Sequence, residues 1–567
     1  MKRNSFNREA LKQLRSQKIF NRHEWSDMRA LFKGMGFGDD DLDRPIIGIA
    51  NTWSEINPGH TNLRMLAEQV KRGIYRAGGT PVEFGTIGIC DGVPTANEGN
   101  YFCLPSREII ANSIEVMTEG NRLDGLVMLG SCDKIVPALM MVAGRLDMPV
   151  IIVNGGPMLS GPEFNGRPSD AVSPVEAMGL CSIGECSYQE LCDLEDLCEP
   201  TCGSCAYLGT ANTMCCLAEA MGLALPGTAM IPAVFNDRIR TAFHAGEKIV
   251  ELVEKNIRSS QIVTRESITN AIKVLLAIGG STNAVLHLSA IAHEAGIEPE
   301  HVIRTINKLS REIPLLVKVN PSATYDVTDF YYAGGVQQVM KELRDLLNLD
   351  CMTVNGTTVG ENLSQFRNKY GPVNREIIKT LKEPFTHVES IGVIYGNLAP
   401  DSGIAKPNTT ESKCFTGEAI VFESEEECNE AILQHKVREG HVIVIRYEGP
   451  KGGPGMREMY KALKLLKGQH LDDKTGLITD GRFSGTNNGC FVGHISPEAA
   501  NGGPIAIVRN GDRITIDLEH RDLHLHLSED EIAERLKNWH YTPKKLKGYL
   551  ATYAKLAKSA DKGGILE

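Results

Sequence analysis

The first part of the chain alternates short β-branched runs with segments of helical spacing. Strands are predicted at 45–50, 82–89, 125–129 and 149–153. Between them, apolar side chains recur every three or four residues, first at Leu63, Leu66, Ala67, Val70 and Ile74, then at Ile109, Ile110, Ile114 and Met117. Strands that alternate with helices fold through right-handed crossovers into a mostly parallel sheet. The pattern therefore predicts an α/β domain with helices on both faces of the sheet.

The pattern changes twice further along the chain. Residues 210–350 are helical in pattern, most clearly at 271–288 and 336–347. After about residue 385, short strands separated by glycine turns are typical of a β-barrel or sandwich rather than of further α/β units. They are predicted at 391–395, 418–422, 441–446, 476–478, 504–508, 514–518 and 522–527. The sequence thus predicts an N-terminal α/β domain over 1–384 and a C-terminal β-barrel-like domain over 385–567.

Composition excludes several kinds of partner. The 567 residues carry a net charge of -11, which offers no electrostatic footprint for nucleic acid or an anionic membrane. No apolar stretch approaches the roughly 20 residues that a membrane span requires, and residues 1–22 lack the apolar segment of a secretory signal. Fifteen cysteines without such a signal indicate reduced thiols. We therefore expect a cytoplasmic protein in which some cysteines bind metal.

Polar side chains follow each predicted strand of the first domain. These loops carry Asn51-Thr-Trp-Ser54, Cys90-Asp91-Gly92, Ser131-Cys132-Asp133-Lys134 and Asn154-Gly-Gly-Pro157. Ligands of open α/β sheets bind at the carboxyl ends of the strands, where all four loops are expected to lie. The sequence therefore predicts the functional site at this edge of the sheet.

Thiols in the chain point to iron or zinc. Cys202 and Cys205 form a C-x-x-C pair whose spacing lets both sulfurs reach one metal, and Gly203 permits a tight turn. A redox pair is the rival interpretation, but that motif usually opens a helix in a small thioredoxin-like unit. A structural zinc site needs four ligands, and no second C-x-x-C exists. Cys132, Cys202 and Cys205 would instead leave one iron of a cluster open as a Lewis acid, while the other cysteines of 181–216 pack as small apolar side chains.

Oxygen ligands beside these thiols suggest a second, different metal, since carboxylates select magnesium or manganese. The candidates are Asp91, Asp133 and Glu458, with Lys134 adjacent to them. Isolated acidic residues are usually solvated, but the two aspartates follow predicted strands beside a cysteine. Ser484 is a further candidate, because it lies between two glycines that allow close approach of a substrate, although serine is also a common turn residue. No G-x-S-x-G elbow surrounds it, so a hydrolase triad is not supported.

Longer motifs carry a resemblance that is highly specific when they are taken together. They are Arg44-Pro-Ile-Ile-Gly-Ile-Ala-Asn51, Leu104-Pro-Ser-Arg-Glu108, Cys132-Asp-Lys134, Gly155-Gly-Pro-Met158, Thr210-Ala-Asn-Thr-Met214, Gly279-Gly-Ser-Thr-Asn283, Gly396-Asn-Leu-Ala-Pro400, Arg446-Tyr-Glu-Gly-Pro-Lys-Gly-Gly-Pro-Gly-Met456 and Thr479-Asp-Gly-Arg-Phe-Ser-Gly485. Over about residues 44–535 the chain resembles the IlvD/Edd dehydratase family. The resemblance implies an enzyme whose active site lies between an N-terminal α/β domain and a C-terminal β-barrel-like domain.

The resemblance also implies an iron-sulfur cluster held by Cys132 and Cys205. Family members with a [2Fe-2S] cluster carry a further cysteine where this chain has Gly59, within Asn57-Pro-Gly-His60. The Pro-Gly-His sequence is similar to that of the branch with oxygen-sensitive [4Fe-4S] clusters. We therefore expect [4Fe-4S] rather than [2Fe-2S], with Cys202 as the candidate for the missing ligand.

The same resemblance implies Mg²⁺ bound by Asp91, Asp133 and Glu458. Lys134 matches a lysine that becomes carbamylated, which turns a cation into a metal-binding carboxylate. Ser484 matches the family's proton acceptor, and a serine acts as a base only where cations stabilise its alkoxide. The implied reaction removes water from a 2,3-dihydroxy carboxylic acid and yields a 2-keto acid. The family also implies a homodimer or homotetramer.

Three functions stay open. Residues 447–456 and 481–485 resemble the branch that acts in branched-chain amino-acid synthesis. Three segments depart from that branch, and their added amide groups would suit the extra hydroxyls of an aldonic sugar acid: Thr95-Ala-Asn-Glu98, Met459-Tyr-Lys461 and Thr486-Asn-Asn-Gly489. A non-catalytic iron-sulfur sensor is the third interpretation, but a sensor needs no magnesium site. Magnesium dependence would therefore separate it from the two dehydratases.

Overall fold

Four strands of the N-terminal half form a parallel sheet in the order β2-β1-β3-β4. The structure is a computed structural model that describes residues 13–20, 22–95, 97–483 and 489–567. The strands are β1 Ile46–Asn51, β2 Thr80–Gly85, β3 Gly125–Leu129 and β4 Val150–Val153. Every residue of β1, β3 and β4 is buried, as expected of parallel strands covered on both faces. The predicted α/β fold is confirmed.

The second strand differs from its prediction at 82–89. It begins at Thr80 and ends at Gly85, which is paired with Asn51, the last residue of β1. Beyond Gly85 no strand of the sheet continues alongside, so the chain leaves it as a loop. Cys90 and Asp91 therefore lie on a loop of several residues rather than directly at the strand end.

Helices cover the sheet and form most of the region up to residue 365. Leu63–Ala77 follows β1, Cys103–Gly120 follows β2 and Ile135–Arg145 follows β3. Leu63–Ala77 packs closely on Asn236–Lys255 because two glycines lie at the crossing: a Cβ on Gly73 would stand 2.0 Å from the carbonyl oxygen of Phe243. The other helices of this half are Gln17–Phe20, Ser26–Gly34, Asp39–Leu42, Ser173–Ser182, Tyr188–Leu197, Thr210–Ala220, Arg265–Ile278, Asn283–Glu294, Glu300–Leu309, Val327–Tyr332, Gly335–Glu342 and Val359–Gln365.

The helix predicted at 271–288 is two helices. Arg265–Ile278 ends at Gly279, which adopts a left-handed conformation with φ 61°. Glycine is favoured there because it lacks a Cβ. The second helix, Asn283–Glu294, begins after a four-residue connection. The helix predicted at 336–347 spans Gly335–Glu342.

Eight strands of the C-terminal half form one sheet in the order β14-β13-β9-β10-β11-β12-β8-β7. A bridge between Tyr395 and Asp522 connects its two edges, so the sheet is nearly closed and the predicted barrel-like domain is confirmed. The strands follow a short hairpin of the first half, β5 Glu163–Phe164 and β6 Arg167–Pro168. They are β7 Gly392–Ile394, β8 Ser402–Ala405, β9 Cys414–Phe422, β10 His441–Ile445, β11 Gly476–Thr479, β12 Cys490–Ser496, β13 Arg513–Asp517 and β14 Asp522–Leu525.

This sheet contains α/β crossovers that the sequence pattern did not predict. Strands β9 to β12 are parallel to one another. Glu425–Leu433 connects β9 to β10, and Lys461–Gly468 connects β10 to β11. The remaining helices, Glu529–Lys537 and Gly548–Leu556, follow the last strand. Loops after β10 and β11 consequently leave the same edge of the barrel.

One predicted strand is wrong and two strands were missed. Residues 504–508 were expected to be a strand, but Pro504–Ile507 is a 3-10 helix whose apolar side chains fill the core without strand pairing. The missed strands are β8 and β12, each of which contains a glycine that weakens the strand pattern. Among the described residues, none of the helices combines the length and the apolar content that a bilayer crossing needs.

Candidate active site

Three carboxylates from distant parts of the chain meet at one point. Asp91 lies on the loop after β2, and Asp133 lies on the loop after β3. Glu458 comes from the C-terminal half, on the loop after β10, where its backbone N–H donates to Oδ1 of Asn100 at 3.2 Å. One carboxylate oxygen from each lies within 4.8 Å of the others. The facing edges of the two sheets thus build one acidic cluster.

Two buried cations hold this cluster. The Nζ of Lys134 lies 2.6 Å from Oδ2 of Asp91 and 3.4 Å from Oδ2 of Asp133. Arg482, on the loop after β11, donates from Nη2 to the same Asp91 oxygen at 3.3 Å and from Nη1 to Glu458. Both cations are fully buried. Removing either would leave buried carboxylates without compensation.

Burial sets the protonation of these groups. It raises the pKa of Asp133 and of Glu458, because the charged form of a carboxyl loses its hydration. At Lys134, burial and the guanidinium of Arg482 oppose the charge, but the surrounding carboxylates outweigh them and raise its pKa. Lys134 is therefore an ammonium that balances the carboxylates.

Four cysteines line the cavity beside this cluster: Cys90, Cys132, Cys198 and Cys205. The thiols of Cys90 and Cys132 interact with each other, which lowers the pKa of Cys90 and raises that of Cys132. Cys132 also donates to Oδ1 of Asn57 at 3.1 Å. Burial raises the pKa of Cys205. Cys202 is half-buried and is not among the described residues that line this cavity.

The loop that carries Cys205 is held against the loop after β4. Gly203 has φ 142°, and a Cβ there would stand 2.2 Å from the backbone nitrogen of Met158. Met158 donates from that nitrogen to the carbonyl of Ser204 at 2.7 Å, and Gly203 donates to the carbonyl of Pro58 at 3.0 Å. The glycine predicted to permit a tight turn also permits this close approach. Cys205 is thereby placed among the loops at the carboxyl edge.

His60 and Arg482 are functional residues that sequence reasoning missed. His60 is buried, and its Nδ1 bonds the carbonyl of Thr52 at 2.7 Å. Its Nε2 accepts from the backbone N–H groups of Ser131 and Cys132 at 3.1 and 3.2 Å. Burial lowers the pKa of His60 to about 4, so the ring is neutral and can accept. His60 therefore positions the loop that carries Cys132. Both residues lie in motifs already noted in the sequence: His60 in Pro-Gly-His and Arg482 in Gly481-Arg-Phe-Ser. Those motifs were the signal from which the two residues could have been predicted.

The cavity has a volume of about 440 Å³, which suits a small molecule. Its lining includes the four cysteines, Asp91, Asp133 and Glu458. Apolar side chains contribute as well, namely Met158, Ala171, Pro174 and Val175. The predicted proton acceptor, Ser484, lies outside the described residues, as do Ala96 and residues 486–488 of the departing segments.

The donor atoms fit two different metal groups. Oδ1 of Asp91 is buried and has no hydrogen-bond partner among the described residues, and it belongs to an all-oxygen set that suits Mg²⁺. The thiols form a separate sulfur set that suits an iron-sulfur cluster. Soft and hard ligands are thus adjacent but segregated, as the sequence suggested.

Comparison with known proteins defines the class to which this arrangement belongs. The dihydroxy-acid/6-phosphogluconate dehydratase N-terminal family matches residues 44–362, and its C-terminal counterpart matches residues 376–564. The chain belongs to this dehydratase family, which confirms the resemblance seen in its motifs.

Particular relatives are similar over nearly their whole length. A dihydroxy-acid dehydratase of Caldanaerobacter subterraneus subsp. tengcongensis is 47% identical over 97% of this chain and 99% of its own. Those of Acetivibrio thermocellus and Methanococcoides burtonii are also 47% identical, over 98% and 95% of this chain and 100% and 97% of their own.

Proposed function

We propose that the protein is a dihydroxy-acid dehydratase, a hydro-lyase that converts a 2,3-dihydroxy carboxylic acid into a 2-keto acid. The observation that carries this proposal is the meeting of a carboxylate cluster and a thiol cluster in one small cavity. Full-length relatives from bacteria and an archaeon bear this name. The proposed role in the cell is branched-chain amino-acid synthesis in the cytoplasm.

Two groups would be held by the residues already described. Asp91, Asp133 and Glu458 would bind Mg²⁺, and Cys132 and Cys205 would bind an iron-sulfur cluster, for which we favour [4Fe-4S]. When bound, these groups supply Lewis acidity toward the carboxylate and hydroxyl oxygens of the substrate. A non-catalytic sensor would have no use for the oxygen set, which is why we prefer the enzyme.

The chain's own residues hold and move charge. Arg482 fixes the relative positions of Asp91 and Glu458 through its two nitrogens. Lys134 would complete the oxygen set as a carbamate. Ser484 would take the proton from C2 of the substrate, close in sequence to Arg482, whose positive charge favours an alkoxide.

Substrate choice rests on the cavity wall and on the relatives. Ala171, Pro174 and Val175 offer apolar contacts to a branched alkyl group. Polar side chains of the same wall, among them Glu199, Tyr460 and Lys461, offer hydrogen bonds to the hydroxyls of either substrate. Because the relatives are named dihydroxy-acid dehydratase, we rank the sugar-acid alternative second.

Domain limits and assembly complete the proposal. We place the boundary at 384/385, because the bridge from Val317 to Ile378 ties the segment before it to the helical half, and the first strand of the barrel-like sheet follows at Gly392. Fifteen free cysteines support a reducing compartment. We retain a homodimer or homotetramer, as the family implies.

The test is formation of 2-keto acid by anaerobically reconstituted protein with Mg²⁺, with 2,3-dihydroxyisovalerate offered beside a panel of aldonic acids. We expect a preference for dihydroxyisovalerate. The matched control is Asp91→Asn, which removes one magnesium ligand and should lose activity. Preference for an aldonate would make the protein a sugar-acid dehydratase, and no product from cluster-loaded protein would revive the sensor.

A further inference from the structure

No role for Cys90 was predicted from the sequence. It directly precedes Asp91 on the loop after β2, and its thiol interacts with that of Cys132 on the loop after β3. It lines the same cavity as Cys132 and Cys205. The contact between two thiols from different loops cannot be read from their spacing of more than forty residues.

Cys202 is absent from the described lining of this cavity, whereas Cys198 lines it but donates to the carbonyl of Glu195 at 4.0 Å. Cys205 lines the same cavity as Cys90 and Cys132. Cys202 precedes Gly203 in the turn against Met158, and among the described lining residues this turn contributes Gly203, Ser204 and Cys205. A cluster bound by Cys132 and Cys205 would therefore share its cavity with the thiol of Cys90 and not with that of Cys202.

Position 59 lies beside the same sulfur. A Cβ on Gly59 would stand 2.9 Å from Sγ of Cys132. Related chains with a cysteine at that position would thus bring a third thiol to Cys132 from the loop after β1. In this chain a thiol reaches Cys132 from the loop after β2 instead.

We propose that Cys90, rather than Cys202, is the third cysteine ligand of the iron-sulfur cluster. Two neighbouring loops then present the same dipeptide, Cys90-Asp91 and Cys132-Asp133. Each gives its sulfur to the cluster and the next carboxylate to Mg²⁺. Each cysteine binds iron as a thiolate and releases its proton, with no change in oxidation state. Because each cysteine and its aspartate are adjacent in the chain, one peptide bond in each loop fixes the distance between the cluster and the magnesium site.

The proposal rests on the cluster of the proposed function, but its test does not use activity. Cys90→Ser and Cys202→Ser are compared with the unmodified chain after anaerobic reconstitution, by iron and sulfide per chain and by electron paramagnetic resonance of the reduced cluster. We expect Cys90→Ser to release iron to a chelator at least about tenfold more readily, since even indirect ligand contacts change metal affinity by that factor. Cys202→Ser should match the unmodified chain.

A second measurement avoids variants. Under anaerobic conditions the cluster-loaded protein is treated with iodoacetamide before and after chelation of its iron, and each cysteine is followed by mass spectrometry. Cys90 should be protected only while the cluster is bound, whereas Cys202 should react equally in both samples. Unchanged iron binding and resonance in Cys90→Ser, or cluster-dependent protection of Cys202 in place of Cys90, would overturn the proposal. Absence of dehydratase activity in cluster-loaded protein would contradict the proposed function alone.

Discussion

The Nζ of Lys134 lies 2.6 Å from Oδ2 of Asp91, and both side chains are buried. Lys134 and Arg482 face the three carboxylates of Asp91, Asp133 and Glu458, so the cluster carries one net negative charge. Carbamylation of Lys134 would replace a positive charge by a negative one, and binding of Mg²⁺ would restore those two units. The net charge of the site stays the same, so carbamylation and magnesium binding should stabilise each other.

Lys134→Arg tests that coupling. Arginine keeps the positive charge but cannot form the carbamate, so the variant should lose Mg²⁺ binding and at least about 10²-fold in kcat. Calorimetric titration with Mg²⁺ and keto-acid assays provide the measurements. Because Arg also pairs with carboxylates, the fold should persist by circular dichroism. A variant that binds Mg²⁺ normally would refute the carbamate.

Arg482→Met tests the other cation. The change leaves Asp91 and Glu458 without their buried partner, which should lower the free energy of unfolding by about 3–5 kcal/mol. Mg²⁺ can replace part of that charge, so added Mg²⁺ should reduce the loss in chemical denaturation. The control is Arg238→Met, a fully buried arginine that donates to the carbonyl of Ile231. The free energy of unfolding that Arg238→Met loses should not change when Mg²⁺ is added. An equal response of the two variants to Mg²⁺ would contradict the prediction.

The outcome for Arg482 illustrates what a sequence can predict. Parallel strands and the chemistry of the loops that follow them were predictable, because periodicity is local and strand ends converge at one edge. Arg482 binds partners 24 and 391 positions away, and such contacts depend on how two sheets face each other. The strand predicted at 504–508 failed for a related reason, since an apolar run fills a core equally well as a 3-10 helix.

Gly59→Cys should change the cluster. The new Cβ would stand 2.9 Å from Sγ of Cys132, so a thiol there would add a ligand beside Cys132 at a packing cost of about 1–3 kcal/mol. We expect a shift toward [2Fe-2S] with slower loss of absorbance in air. Gly59→Ala carries the same crowding without the thiol and should stay oxygen-sensitive. Equal decay of the two variants would count against a role for position 59.

Gly73→Ala should destabilise the N-terminal half. Its Cβ would stand 2.0 Å from the carbonyl oxygen of Phe243, a backbone atom that cannot rotate away, so the two helices must separate. We expect a loss of about 1–3 kcal/mol or more in urea denaturation. Gly120→Ala is the matched control, because a Cβ there meets no atom within 4 Å. It should be neutral or stabilising by about 0.5 kcal/mol, and equal losses would refute the packing argument.

Stability should fall as pH rises through neutrality. Burial raises the pKa of Glu448 to about 8 and that of Glu425 to about 7, while Arg457 opposes both shifts. The folded chain therefore holds protons that the unfolded chain releases above about pH 4.5. This stabilisation is complete below that pH and is lost as pH rises through about 7 to 8. Each retained proton contributes a slope of about 1.4 kcal/mol per pH unit.

Glu448→Gln isolates this effect, because glutamine stays neutral at every pH. Urea denaturation between pH 6 and 8.5 under anaerobic conditions should give the variant a smaller decline in the free energy of unfolding than the unmodified chain. Glu439→Gln, on an exposed side chain, should keep the original slope. If Glu448→Gln declined as steeply as the unmodified chain, Glu448 would be ionised at neutral pH, and Arg457 rather than a proton would balance its charge.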